Sequence, residues 1–339
     1  MIPAVIDYYE PWYVQILKAI VLFAVGLQMV PLVLVAERKI LGRMQHRFGP
    51  NRVGPFGLVQ PLADILKLVT KEQFRPKTSI GWLFALAPIV SILTAVAAFS
   101  IIPFGRTQDI FGTKTGLYGV DLSIGPLYLF AFGAIAFYGI MLGGWASGSK
   151  YSFLGSMRAA AQLISYEVAQ GLALVGVIFT AQTLSLTEIV EAQAGMWYVV
   201  PQFAGFIIFL TASFAESNRA PFDLVEADAE LVGGYNTEYG GARFASYYFA
   251  EYLNVIVISG IVTTIFLGGW LLPFGIHPPG WVDPFVVLGK MCVFIFLFIW
   301  IRATLPRLRY DQLMSFGWKI LLPLATLNAL VTAILVVST

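Results

Sequence analysis

The chain has 339 residues, of which 58% are hydrophobic and 12% are charged, and its formal net charge at pH 7 is +2. A soluble domain carries about 25% charged residues, so the composition excludes an ordinary soluble protein and indicates an integral membrane protein. An iron–sulfur cluster needs about four thiolates, and a transmembrane haem usually needs a pair of histidine or methionine ligands. One cysteine and two separated histidines therefore exclude both centres within this chain alone.

The first apolar run begins near residue 12, and we expect it to be retained as a membrane span. The segment before it has no basic start and no small-residue cleavage site, as a signal peptide would have. A spanning helix needs about 20 apolar residues, and the sequence predicts eight spans, at 12–36, 80–102, 124–145, 159–181, 197–215, 244–272, 285–302 and 318–337. The predicted fold is an all-α polytopic membrane protein, with residues 1–339 forming one transmembrane domain.

Most of the 21 Lys and Arg residues fall in the connections after the first, third, fifth and seventh spans. By the positive-inside rule these connections are cytoplasmic, which predicts that both termini lie on the non-cytoplasmic side. Two of the connections are long, at 37–79 and 216–243.

The first long connection contains an amphipathic pattern, predicted to form a helix over about residues 56–72. Apolar side chains recur there at helical spacing, at Leu58, Leu62, Ile65, Leu66 and Val69. Such a helix is expected to lie along the membrane interface. From the pattern alone, a simple surface anchor explains it equally well.

Two acidic residues, Glu167 and Glu251, fall inside predicted spans. A charged acid at mid-bilayer costs roughly 2.5–3.5 kcal/mol on insertion scales, so such residues usually face a bundle interior or water. Gln170 shares the helix face of Glu167, and Asn254 shares that of Glu251. One interpretation is a hydrogen-bonded pair that locks two helices together. The other is a protonatable site on a path into the membrane.

The second long connection is acidic. Residues 216–241 contain a single basic residue, Arg219. They contain six carboxylates: Glu216, Asp223, Glu226, Asp228, Glu230 and Glu238. Asp223, Glu226 and Glu230 have the spacing of one face of a short helix. If water is limited there, crowded acids store protons, whereas on an exposed loop they are a solvated face. Interleaved apolar residues favour at least partial burial, and Arg219 is expected to pair with one of the acids.

Three stretches resemble a known family: AERKILGRMQHRFGPNRVGPFGLVQPLADILKL (36–68), GGWASGSKYSFLGSMRAAAQLISYEVAQG (143–171) and ESNRAPFDLVEADAELVGGYNTEYGGARF (216–244). They are similar to the H subunit of bacterial NADH:quinone oxidoreductase, respiratory complex I, a family that includes the mitochondrially encoded subunit 1. The resemblance covers essentially the whole chain, with the spans in matching order.

The resemblance implies a protein at the heel of the membrane arm, in a bacterial plasma (inner) membrane, that forms part of a quinone tunnel. Ubiquinone or menaquinone is then the substrate, while flavin and iron–sulfur clusters belong only to partner subunits. The implied partners are the hydrophilic-arm subunits that carry the terminal cluster and quinone pocket, the adjacent small membrane-arm subunits and membrane lipid. The resemblance also implies that this chain binds no nucleic acid and carries no redox centre.

The resemblance also implies roles for individual residues. The quinone tunnel is expected to involve Arg38, Arg47, Asp64, Phe222, Asp223 and Arg219. The relay that couples quinone reduction to proton translocation is expected to involve Glu167, Glu216, Glu226, Asp228, Glu230 and Glu251. Asp228 departs from the family, which usually has Glu at that position.

Three other functions are compatible with parts of the pattern. The first is the related membrane subunit of an energy-converting hydrogenase or formate hydrogenlyase, which handles no quinone. The second is a stand-alone secondary transporter, although the chain lacks the internal repeats that such proteins typically show. The third is a structural anchor for a soluble partner, against which the acids within the spans argue.

Overall fold

The computed structural model describes residues 10–110, 113–225, 231–273 and 278–338. Its helices are α1 (Trp12–Met44), α2 (Gln60–Thr70), α3 (Gly81–Ser100), α4 (Gly125–Ala146), α5 (Lys150–Ala181), α6 (Leu186–Ala192), α7 (Phe203–Glu216), α8 (Gly241–Phe266), α9 (Asp283–Thr304), α10 (Tyr310–Phe316) and α11 (Leu322–Ser338). A π-helical segment, Gly317–Leu321, joins α10 to α11. Single 3-10 turns occur at Pro55–Gly57, Gly234–Asn236 and Gly280–Val282.

A small antiparallel hairpin interrupts the helical fold between α3 and α4. Its strands are β1 (Gly105–Ile110) and β2 (Thr113–Leu117), with Gly105 opposite Leu117 and Ile110 opposite Thr113. The remaining regular structure of the described residues is helical, which confirms the all-α prediction apart from this hairpin.

Within the described part of the chain, seven helical segments are long and apolar enough to cross a membrane: 12–44, 81–99, 125–146, 150–181, 241–266, 280–304 and 310–338. The predicted fifth span, 197–215, corresponds to α7, which begins only at Phe203 and has 14 residues. That is shorter than the roughly 20 residues needed for a full crossing. The membrane fold is therefore confirmed as seven long helices and one shorter apolar helix, rather than eight similar spans.

Helix α8 occupies the centre of the molecule. Every residue from Val255 to Phe266 is buried, which is the behaviour of a helix that is apolar on all sides. Helices α3 and α9 pack against it, α4 packs on α3, and α5 packs on α4, α7 and α11. The long acid-bearing helices α5 and α8 are thus interior elements of the bundle.

The end of the bundle that carries the hairpin is fastened by ion pairs. Arg106 Nε lies 2.8 Å from Asp283 Oδ2, and the Asp283 side chain is fully buried. The backbone amide of Gly116 donates a 3.3 Å hydrogen bond to Glu10 Oε1, and Lys18 Nζ lies 2.9 Å from the same carboxylate. Residue 10, the hairpin and the start of α9 therefore lie at one end of the bundle.

Lys290 completes the C-terminal end of α8. Its ammonium group donates to the carbonyl oxygens of Leu267 at 2.6 Å, Gly269 at 2.8 Å and Leu271 at 2.6 Å. It also lies 4.4 Å from the centroid of the Trp197 ring. Carbonyl groups at a helix C-terminus lack intrahelical partners and favour a cation. One lysine therefore binds the carbonyl at the C-terminal cap of α8 and two carbonyls of the turn that follows it.

The π-helical segment packs against α5. The Tyr166 hydroxyl donates to the Leu313 carbonyl at 2.9 Å, and Trp318 Nε1 donates to Ser165 Oγ at 3.0 Å. A Cβ added to Gly317 would lie 3.3 Å from the Tyr166 ring, so the glycine permits the close approach. The contact holds the α10–α11 unit against the part of α5 that precedes Glu167.

Candidate functional site

The site begins at the junction of α1 and α2. Arg38 Nη1 on α1 lies 2.6 Å from Asp64 Oδ2 on α2. Gln60 Nε2, one helical turn earlier on α2, donates to Asp64 Oδ1 at 3.1 Å. This ion pair is partly exposed and fixes the amphipathic helix to the end of α1.

A buried charge cluster lies deeper, around Arg219. Arg219 Nε is 2.6 Å from Glu251 Oε1 on α8, and Arg219 Nη1 is 3.7 Å from Glu37 Oε1 on α1. Arg302 on α9 pairs with the same Glu37 carboxylate. The Arg219 guanidinium also stacks on the Tyr252 ring, 4.1 Å from its centroid. The ion-pair partners of Arg219 thus come from two helices that the sequence did not connect with it.

Arg219 remains charged despite its burial. Burial by itself lowers the pKa of Arg219, but the nearby acidic groups, Glu251 first among them, together raise that pKa above its ordinary value. Only 7% of the Arg219 surface is exposed. Arg219 is therefore a fixed positive charge between the carboxylates of α1 and α8.

The segment after α7 is held in place by Gln162 of α5. Its side-chain Nε2 donates to the Ala215 carbonyl at 2.7 Å and to the Phe222 carbonyl at 2.8 Å. Between these two points the chain turns at Asn218, whose φ of 52° is a conformation that Asn tolerates better than most residues. This turn directs Arg219 toward α8 and leaves Asn218 beside the cavities.

Two neighbouring cavities lie below the charge cluster, with volumes of about 60 and 40 Å³. Both are lined by Ala136, Ile140, Glu216, Asn218 and Asn254. The smaller one reaches Glu251 and Tyr247, and the larger one reaches Gln170 on α5. Glu216 therefore borders both spaces and stands between the charge cluster and α5.

Glu167 and Glu216 approach a common point on α4. A Cβ added to Gly133 would lie 3.6 Å from Glu216 Oε1 and 4.0 Å from Glu167 Oε1. Gln170 makes a side-chain hydrogen bond to Glu216 and donates from Nε2 to Ser213 Oγ at 3.0 Å. No ion pair of Glu167 or Glu216 occurs within the described ranges. The Glu251 carboxylate binds Arg219. Glu167 and Glu251 therefore do not pair with each other to lock two helices together.

The remaining expected tunnel residues are spread around this site. Arg47 is exposed, and its Nε donates to Gln45 at 2.8 Å. Phe222 is buried and packs near Tyr166, with 6.1 Å between ring centroids. Asp223 Oδ1 lies 3.8 Å from Arg307 Nη2. Glu226, Asp228 and Glu230 lie outside the described residues.

Glu37 was missed by sequence reasoning. It stands at the edge of a strongly basic connection, so it was assigned to the loop 37–79. In the structure α1 continues to Met44, and Glu37 is 5% exposed inside the bundle. The signal available in the sequence was its position among apolar residues, at the end of VPLVLVAE.

Comparison with known proteins gives a consistent result. A sequence model of the family described as NADH dehydrogenase matches residues 17–333. The chain is 51% identical over 320 residues to the NADH-quinone oxidoreductase H subunit numbered 1 in Geobacter metallireducens, covering 94% of this chain and 95% of that protein. It is 54% identical over 299 residues to the corresponding H subunit of Syntrophotalea carbinolica, covering 88% and 89% respectively. The chain belongs to the H-subunit family of NADH-quinone oxidoreductase.

Family membership confirms the resemblance. The H subunit numbered 2 in Geobacter sulfurreducens, 50% identical over 316 residues, is a further relative of the same kind. The chain is accordingly a membrane subunit of the NADH-quinone oxidoreductase enzyme complex, complex I, and takes part in electron transport in the membrane. The family match favours this interpretation over the hydrogenase, transporter and anchor alternatives.

Proposed function

We propose that this member of the H-subunit family forms part of the path by which quinone enters complex I, and that it begins the proton relay coupled to quinone reduction. Ubiquinone or menaquinone is the substrate of that path. Electrons arrive from flavin and iron–sulfur clusters that partner subunits hold, and the single cysteine of this chain is too few for an iron–sulfur cluster of its own.

The observation that carries the relay is the position of Glu216. It borders both cavities, one of which reaches the Arg219–Glu251 pair while the other reaches Gln170 beside Glu167. Buried acids within membrane proteins are costly and are usually found on proton paths or in paired clusters. A polar route from the charge cluster to the middle of α5 therefore supports proton movement along Glu251, Glu216 and Glu167.

The charge cluster and the two unpaired acids differ in chemistry. Arg219 Nε lies 2.6 Å from Glu251 Oε1, so Glu251 is held in an ion pair. No described cation holds Glu216 or Glu167, so these two groups are free to take up and release a proton. A fixed charge next to exchangeable acids is suited to a relay that responds to charge arriving from the quinone side.

The α1–α2 junction is our candidate for the quinone side. The Arg38–Asp64 pair is partly exposed, and two large apolar side chains of the same stretch of chain, Phe48 and Phe56, are 82% and 76% exposed. Apolar walls with a few placed polar groups are typical of small-molecule sites. The hydrophilic-arm subunits and the adjacent small membrane-arm subunits are the proposed partners that close this surface.

We place the protein in the inner membrane with both termini on the non-cytoplasmic side. Glu10 contacts the hairpin end of the bundle. Gln202 donates a hydrogen bond to Thr332 of α11. Gln202 lies near the C-terminal end of α8, since the backbone amide of Val199, three residues earlier, donates to the Phe266 carbonyl. Both observations support one shared end for the two termini, opposite the basic connections.

The test is Glu216→Gln in the assembled complex, which keeps the size and hydrogen bonding of the side chain but removes the exchangeable proton. We expect NADH-driven proton pumping to fall by at least about tenfold, in the range typical of losing one acid–base group. Native gels check assembly. Glu191→Gln on α6 is the matched control, and pumping by Glu216→Gln at the control rate would remove Glu216 from the path.

A further inference from the structure

Gly133 on α4 differs from the other glycines of the same helix. At Gly139 an added Cβ would lie 2.2 Å from Ser91 Oγ, and at Gly143 it would lie 2.1 Å from the Tyr247 hydroxyl. Close packing therefore requires glycine at both positions. At Gly133 the nearest atom is Glu216 Oε1 at 3.6 Å, which is ordinary van der Waals contact. Packing does not require glycine at Gly133.

A glycine inside a helix also has an energetic cost. Relative to alanine, it destabilises a helix interior. Gly133 lies well inside the 22 residues of α4. Gly133 therefore leaves open a space that the carboxyl groups of Glu216 and Glu167 border, at 3.6 and 4.0 Å from the position of an added Cβ.

That space belongs to the larger cavity, whose lining is mostly apolar but includes polar side chains, such as Glu216 and Asn254, that can hold water. A buried water needs about 10–15 Å³ of such volume and two to four polar partners. The volume of about 60 Å³ accommodates a short row of water molecules. Gln170 is 2% exposed, and its Oε1 has no hydrogen-bond partner among the described residues. Asn218 Oδ1, on the same cavity, is a second such acceptor.

We propose that Gly133 is a positioning residue that keeps a water-holding gap between the carboxyl groups of Glu216 and Glu167. This inference rests on the proposed proton relay and names the point where it crosses from α7 to α5. Glu216 gives its proton to a water oxygen, and that water gives one of its protons to the Glu167 carboxylate. Two O–H bonds break and two form, so the net result is the transfer of one proton from Glu216 to Glu167, and the water is regenerated.

The test compares Gly133→Ala with Gly133→Ser in the assembled complex. The two side chains have similar size, but only the serine hydroxyl can replace a water as a hydrogen-bond bridge between the acids. We expect the alanine variant to lose at least about threefold in NADH-driven proton pumping, since small displacements in a reacting geometry cost up to about a hundredfold. The serine variant should keep more than half of the parental rate.

Gly171→Ala is the matched control. Gly171 lies at the same α4–α5 interface, but its added Cβ would meet only Phe130 ring atoms, at 3.8 and 4.0 Å. We expect this variant to pump at the parental rate. The solvent deuterium isotope effect on pumping should rise in Gly133→Ala and stay unchanged in Gly171→Ala.

The outcomes separate this inference from the function on which it rests. Normal pumping by Gly133→Ala, together with a loss in Glu216→Gln, would overturn only the role of Gly133. Equal losses in the alanine and serine variants would also overturn it, because the effect would then be steric. Normal pumping by Glu216→Gln would overturn the relay itself.

Discussion

Replacing Arg219 by methionine should destabilise the assembled complex, because it removes the cation beside the largely buried carboxylate of Glu251. Arg219 is 7% exposed and lies 2.6 Å from Glu251. Glu37 keeps its second cation, Arg302, so Glu251 is the acid that loses its ion pair. The Tyr252 ring also loses the cation that stacks 4.1 Å from its centroid.

The magnitude follows from these contacts. Breaking a buried ion pair by removing one partner costs about 3–5 kcal/mol. The Glu251 side chain retains 17% exposure, so some water can reach it, and we expect the lower end of that range, about 3 kcal/mol. Replacing both partners, in Arg219→Met with Glu251→Gln, leaves no isolated charge and should cost about 2 kcal/mol less than the single change.

The assay is the temperature at which this chain dissociates from the purified complex, followed on native gels. We expect the dissociation temperature to be highest for the parental complex, lower for the double variant and lowest for Arg219→Met. Arg309→Met is the control, because Arg309 and its partner Asp311 are 76% and 66% exposed and such surface pairs contribute little. A double variant no more stable than Arg219→Met would refute the reasoning, since the damage would then not come from an isolated Glu251 charge.

Two further predictions concern the ends of the bundle. Arg38→Ala should raise the apparent KM for quinone several-fold without loss of assembly, because a partly exposed ion pair contributes only about 0–1 kcal/mol to stability; an unchanged KM in steady-state assays would remove Arg38 from the quinone path. Lys290→Met should lower the dissociation temperature of the complex, because each of three buried carbonyl groups left without a partner costs about 1–3 kcal/mol. Lys114→Met, on the exposed hairpin surface at the same end, is the control, and an equal temperature for both lysine variants would show that the carbonyl contacts add nothing.

The sequence was sufficient to predict the membrane fold and the isolated acids. Long apolar runs specify helices of spanning length, and a single carboxylate such as Glu167 stands out because charge is costly there. The short length of α7 was not predicted, because the apolar composition begins at residue 197 while the helix begins only at Phe203. Composition alone does not reveal where an apolar run stops being helical.

The charge cluster was beyond sequence reasoning for a different reason. Glu37, Arg219, Glu251 and Arg302 lie on separate elements far apart in the chain, and no local pattern records that they meet. Gly133 posed the same difficulty, because its significance depends on two carboxyl oxygens from α5 and α7 that approach one point. Pairings of this kind are decided by how helices pack, and they become visible only in three dimensions.

The π-helical segment Gly317–Leu321 has a consequence for how the chain tolerates changes in length. A single π turn contains one residue more than the α-helical turn it replaces, and it absorbs that residue without rotating the helix on either side. Leu313 before it and Ala325 after it both face the interior. Deleting one residue within 317–321 should therefore convert the turn to a regular α-helix and keep both side chains inside. Deleting one residue within α11 itself would instead rotate every following side chain by about 100° around the helix axis. The buried face of the helix would then point toward lipid.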